Sequence, residues 1–186
     1  ITLFLVDAHA PGVEITPLIT IAADRQTEVK FTNVHLPVSA VLGEVDTGWP
    51  VLSRIIDAAT VGKCGEMLGG EDRVLEMTVE YVKKRTQFGR PVGSFQAVQH
   101  HCANMATAVE GSRFVTYQAA WLLSEGLPAT REVAIAKAWV NDAYRQVCAL
   151  AHQCHGAIGF TREYDLQLYT RRAKAAEVSY GDADHY

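Results

Sequence analysis

Along the opening segment, apolar and polar positions alternate in short runs broken by turn residues: ITLFLVD, APG, VEITPLITI, then TEVKFTNVHLP. A period of two predicts strands, three of them here. In the last run Val29, Phe31 and Val34 interleave with polar residues, as in a half-exposed strand that runs out at Pro37. After Leu42 and Gly43 the pattern changes to helical spacing and keeps it almost to the end. A first helix is predicted over residues 47–88, with Thr47 as its cap and Pro50 in its opening turn, where a missing N–H does no harm. Gly62, Gly65, Gly69 and Gly70 interrupt it, each costing about 1 kcal/mol against Ala, which points to close helix contact.

A second helix opens at Ser94, places Phe95, Val98, Cys102, Met105 and Val109 on one face, and ends near Gly126 and Pro128. A third starts at Thr130, carries Val133, Ala136, Val140, Ala143, Val147 and Leu150 inward, and ends at Gly156. A fourth covers residues 164–178. Four long helices with short connections predict a mainly α fold, an up-down four-helix bundle preceded by a few β-strands of an incomplete β domain. The boundary falls near residues 43–48 and divides the chain into 1–46 and 47–186.

Composition narrows the function classes. Hydrophobic residues make up 48% of 186, which excludes a disordered chain, and the net charge of −4 with dispersed basic residues gives no nucleic-acid surface. No apolar run approaches the ~20 residues of a membrane span, so the expected location is the cytoplasm, or the mitochondrial matrix in a eukaryote. Cys64, Cys102, Cys148 and Cys154 fall on helices without framework spacing and are expected as reduced core residues. The chain lacks an initiator Met and opens inside an apolar run, as a fragment of a longer protein would.

Two corners carry candidate chemistry. KKRTQFGRPVGSFQ, residues 83–96, puts Arg85, Phe88 and Gln96 around one tight turn; it reads either as solvated charge at a helix end or as a grip on an anion beside a ring. HQCHGAIGF, residues 152–160, has glycines that let backbone N–H groups approach a ligand. His152, Cys154 and His155 point in different directions on a helix and no second cluster completes a metal site, so no metal is expected. GxSxG, Rossmann and P-loop fingerprints are absent.

In this order the two corners resemble the C-terminal half of the acyl-CoA dehydrogenases. That family has Arg-x-x-Phe-Gly followed by Phe-Gln or His-Gln, matched by RTQFG and by Phe95 with Gln96. It then has Gln-x-x-Gly-Gly-x-Gly-(Phe/Tyr), matched by QCHGAIGF with Ala157 in place of the second glycine. LGEVDTGW looks like the end of the family's middle β domain, and the resemblance covers nearly the whole chain.

The resemblance implies that residues 1–46 end a middle β domain, and that an N-terminal helical domain precedes them and a further helix follows Tyr186. It implies a dimer or tetramer with FAD at a dimer interface, α,β-dehydrogenation of an acyl-CoA thioester, and an electron-transfer flavoprotein as acceptor. Arg85 and Gln153 match positions that reach the pyrophosphate and adenine end of a neighbouring subunit's FAD; Phe88, Gln96, Gly156 and Ala157 belong with them.

The base is where the match breaks. The family's usual Glu aligns with Tyr180, followed by Gly181 on the cofactor side and Asp182; an alternative base position aligns with Ala59. A phenol, with an ordinary pKa of about 10, is a poor base at neutral pH. Asp182 is the nearest substitute and Asp184 the next, although an anion beside a pyrophosphate is unfavourable unless paired. The expectation is a dehydrogenase with a displaced base. The alternatives are a non-catalytic subunit that completes a partner's FAD site in a heteromer, a structural bundle module, and an oxidase of the acyl-CoA or nitroalkane type.

Overall fold

The computed structural model describes residues 1–182, so Asp184 lies outside the described residues. Two units divide the chain, Ile1–Ile56 and Asp57–Tyr186. In the first, β1 (Leu3–Phe4) pairs antiparallel with β4 (Val41–Leu42), and β2 (Val13–Leu18) with β3 (Gln26–Phe31). Three strands were expected; the unit has four, in two separate ribbons. The extra one is two residues long, too short to show a period. β3 is exposed along both faces rather than half-covered.

α1 (Trp49–Lys84) begins two residues later than the sequence suggests. Thr47 does not cap it: its hydroxyl donates to the Glu44 carbonyl at 3.0 Å, and the Gly48 carbonyl takes the first helical N–H, from Leu52. Pro50 sits in the opening turn as expected. At the other end α1 stops short of residue 88, because the Arg85 carbonyl accepts from Val92 N–H and the chain folds back as a hairpin.

The second unit is helical: α1 continues into it, followed by the hairpin strands β5 (Thr86–Gln87) and β6 (Arg90–Pro91), then α2 (Gln96–Ser124), α3 (Thr130–His155) and α4 (Leu166–Val178). Its core repeats at helical spacing. Val61, Cys64 and Leu68 on α1, Met105 and Val109 on α2, and Val133, Ala136, Val140, Ala143 and Val147 on α3 are buried, with Leu166, Ala173 and Ala176 from α4. The inward face expected for α3 is this one, except that Leu150 is only half-buried. On α2 the first turns, with Val98 and Cys102, are half-buried.

Of the glycines in α1, Gly70 alone meets a neighbour: a Cβ there would collide with the Tyr144 hydroxyl of α3. Gly62, Gly65 and Gly69 have nothing within 4 Å of that position, so close contact with another described element is not their reason. All four cysteines are free thiols; Cys64 and Cys148 are buried, Cys102 and Cys154 only partly so.

Several polar side chains are sealed in this core, among them Glu71, Ser112, Lys137 and Asn141. Neither carboxylate oxygen of Glu71 has a hydrogen-bond partner among the described residues. Burial, tempered by the nearby Ser112 hydroxyl and reinforced by the charge of Asp72, pushes its pKa to about 8. The Ser112 hydroxyl is close but not at hydrogen-bonding geometry, so we take Glu71 as a neutral acid held by packing.

Candidate functional site

The last turn of α1 leads into the first corner. Arg85 N–H closes on the Tyr81 carbonyl at 2.8 Å, and Val92 N–H on the Arg85 carbonyl at 2.8 Å. Between them Thr86 pairs with Pro91 and Gln87 with Arg90, leaving Phe88 and Gly89 as a two-residue loop. Both have positive φ, 55° and 79°, the combination a tight hairpin of matching twist requires. Glycine adopts it freely, whereas a side chain there costs about 1–2 kcal/mol. Phe88 bears that cost while 92% exposed, its ring edge-on to Phe95 at 6.1 Å. Arg90 lies over the other ring, 4.1 Å from the Phe95 centroid. Gln96, exposed, opens α2 directly after Phe95. Among the described residues no carboxylate lies within ion-pairing distance of Arg85, which is exposed.

The second corner ends α3. Gly156, with φ 66°, breaks the helix, and residues Gly156–Phe160 make a short 3-10 turn. Gln153, Gly156 and Ala157 are exposed there. Both histidines are held by neighbours within this unit. Thr170 donates its hydroxyl to the Leu166 carbonyl at 3.3 Å, so it accepts from His152 Nε2–H at 2.7 Å; the His152 ring stacks on Phe160 at 4.2 Å. His155 donates from Nδ1 to the Ala151 carbonyl at 2.8 Å and accepts at Nε2 from the Tyr164 hydroxyl at 3.0 Å. Burial pulls both pKa values below the usual histidine range and keeps both rings neutral. No group of three metal-binding side chains occurs among the described residues.

Tyr81 joins the corners. Its ring stacks on His155 with centroids 4.4 Å apart, and its hydroxyl donates to the His155 carbonyl at 3.3 Å. Since Arg85 is one turn beyond Tyr81 and Gln153 two residues before His155, both corners occupy one end of the bundle. A cleft of about 510 Å³ opens there, with Tyr81, Arg85 and Tyr164 in its lining.

The remaining predicted residues are elsewhere. α4 returns along α3, so that its last turn lies against Lys137 and Asn141. Residues 180–182 follow that turn, with Tyr180 at φ 59° and Gly181 at φ 100°, and Asp182 is exposed. From Lys137 to Gln153 is sixteen residues of α3, about 24 Å at 1.5 Å each. Ala59, half-buried, is also at the far end: Asp57, half a turn before it, accepts from the Thr130 hydroxyl at the start of α3. The structure therefore gathers Arg85, Phe88, Gln96, Gln153, Gly156 and Ala157 at one end, and Ala59, Tyr180, Gly181 and Asp182 at the other. Sequence reasoning missed the residues that hold each end, Tyr81 with Tyr164 at one and Lys137 with Asn141 at the other. Lys137 carried a signal, a charge in phase with Val133, Ala136 and Val140 on the buried face.

Residues 46–184 match the family model described as "Acyl-CoA dehydrogenase, C-terminal domain". The chain belongs to the acyl-CoA dehydrogenase family. As a member it is 33% identical over 99% of its length to the short/branched chain specific acyl-CoA dehydrogenase, mitochondrial, of Bos taurus, and covers 43% of that protein. Among solved structures, butyryl-CoA dehydrogenase from Megasphaera elsdenii superposes with a TM-score of 0.93 at 30% identity, over 98% of this chain and 49% of that one. The ChsE4-ChsE5 complex from Mycobacterium tuberculosis matches at a TM-score of 0.90 and 32% identity, over 98% of this chain and 49% of its own. PigA, in a structure with FAD and proline, matches at 0.93 and 25%, again over 98% and 49%. The chain thus spans about half the length of the relatives it matches. Among the described residues no helix is long and apolar enough to cross a membrane.

Proposed function

We propose that this chain is the C-terminal part of a flavin-dependent acyl-CoA dehydrogenase, whose full-length form removes the α and β hydrogens of an acyl-CoA thioester and passes electrons to an electron-transfer flavoprotein. One observation carries the reading: an exposed guanidinium that no described carboxylate pairs with, beside a ring held exposed at a conformational cost, at the open end of α3. A planar guanidinium matches phosphate oxygens, an exposed ring offers a stacking face, and Gly156 permits close backbone approach. Arg85 and Gln153, with Phe88, Gln96, Gly156 and Ala157 around them, fit the phosphate-bearing and adenine half of FAD, offered to a neighbouring subunit in a dimer or tetramer. Gly181 and Asp182, at the far end, belong to the chain's own active site.

When bound, FAD supplies the acceptor for the hydride that leaves the β-carbon. The chain's own part is to polarise the thioester and take the α-proton. The backbone N–H of Tyr180 donates to the thioester carbonyl, a bond that needs no particular side chain, and Asp182 receives the proton. In full-length protein Asp182→Asn should lose turnover while keeping flavin; full activity in that variant removes Asp182 as the base.

A second reading is favoured by the residues at the two usual base positions, Tyr180 and Ala59, neither of which is a carboxylate. In it the chain is the non-catalytic member of a heteromer and lends Arg85 and Gln153 to a partner's FAD. The absorption spectrum of full-length protein decides: flavin bound in the protein purified alone, with oxidation of an acyl-CoA, supports the first reading. A colourless product that gains flavin only with a co-expressed related subunit supports the second.

A further inference from the structure

The end of α4 aims residues 180–182, and what holds that end is on α3. A helix leaves its last carbonyls without intrahelical donors. Those of Ala176 and Glu177 receive the Lys137 ammonium at 3.1 and 3.3 Å. Asn141, one turn along α3, accepts from the same ammonium on Oδ1 at 2.6 Å and donates from Nδ2 to the Glu177 carbonyl at 3.3 Å. All three protons of the ammonium are thereby used. Lys137 is fully buried and Asn141 is 2% exposed, so these bonds are made away from water, where leaving one unmade is costly.

Burial pulls the Lys137 pKa below the usual lysine range and the charge of Lys63 adds to this, while the carboxylates of Glu177 and Asp182 and the negative end of the α4 dipole favour the charged form. Two residues past Glu177 the chain makes one more bond to α4, Ser179 N–H to the Ala176 carbonyl at 3.1 Å, and then enters two left-handed residues. Tyr180 is not a glycine, and such a conformation persists only where the surroundings fix it.

We propose that Lys137 and Asn141 are positioning residues: by fastening the last turn of α4 they fix the direction in which residues 180–182 leave it, and with it the Tyr180 N–H and the Asp182 carboxylate. The inference rests on the reading that this turn lines the thioester site, and its test separates the two.

The test uses full-length Lys137→Met, which keeps the stem and removes the donors. Amide hydrogen exchange is followed in residues 176–182 and in the hairpin at residues 85–92. The expected result is exchange at least about tenfold faster in 176–182 with the hairpin unchanged. In turnover kcat should fall by about a hundredfold, the usual consequence of an ångström-scale misplacement, with KM nearly constant. If Lys137→Met fails to fold, Asn141→Leu, which leaves both carbonyl bonds of the ammonium, is read in the same two segments. Unchanged exchange in 176–182 of a folded variant overturns the proposal, as does faster exchange with kcat intact. A wild-type protein that binds no acyl-CoA in a thioester titration counts against the function itself, and the exchange result is independent of it.

Discussion

Replacing Glu71 by Gln should make the helical bundle more stable at neutral pH and flatten its pH dependence. The carboxyl is fully buried in α1, and its pKa in the fold is about 8 against an ordinary 4.5. Between those values the folded chain keeps a proton that the unfolded chain has released, so stability falls as pH rises through the window and the loss is complete above about pH 8. The difference, 8 − 4.5, is about 3.5 pKa units, and at 1.36 kcal/mol per unit the full cost is about 5 kcal/mol. At pH 7 about 3 kcal/mol of it is already felt. Urea unfolding followed by circular dichroism, at several pH values from about 5 to about 8, reads the effect in wild type and variant. Burial also lowers the pKa values of His152 and His155 in the fold, but that contribution is common to both proteins and cancels in the difference. The stabilisation of Glu71→Gln should grow by about 3 kcal/mol across that range. A difference that stays flat with pH would show that Glu71 is ionised in the fold, and would refute the reasoning.

Gly70→Ala should destabilise the bundle by about 1–3 kcal/mol through collision with the Tyr144 hydroxyl and ring, and Tyr144→Phe in the same chain should recover only part of it, because the ring Cζ still stands 2.6 Å from the added Cβ; thermal melts of the two read this. Phe88→Asn should relieve part of the left-handed cost, raising stability by up to about 1 kcal/mol while lowering flavin retention in full-length protein, the two being measured on the same preparation.

What the sequence made legible follows from periodicity. The boundaries of α2 and α3 lay within two residues of prediction because Gly126, Pro128 and Gly156 mark their ends and apolar residues recur every three or four positions. The start of α1 differs from the pattern because the Thr47 hydroxyl donates to the Glu44 carbonyl instead of accepting from the helix N–H groups that a cap would serve. The hairpin at Phe88 and Gly89 was read only as a turn, since strands of two residues leave no pattern.

The candidate site was legible by residue type and not by arrangement. Nothing in RTQFG or QCHGAIGF says that Tyr81 stacks on His155 and brings the two corners to one end, because that contact joins residues 74 positions apart. Likewise Lys137 reads as an anomaly on a buried face until the carbonyls of Ala176 and Glu177 give it acceptors.

The most direct test is the flavin content of full-length Arg85→Ala, expressed with whatever subunit wild type requires. Loss of one charge-assisted contact to phosphate is worth about 2 kcal/mol, so FAD should be released about thirtyfold more readily while the melting of the stripped protein is unchanged. Flavin retained at the wild-type level through dialysis would contradict the assignment of this corner to the cofactor.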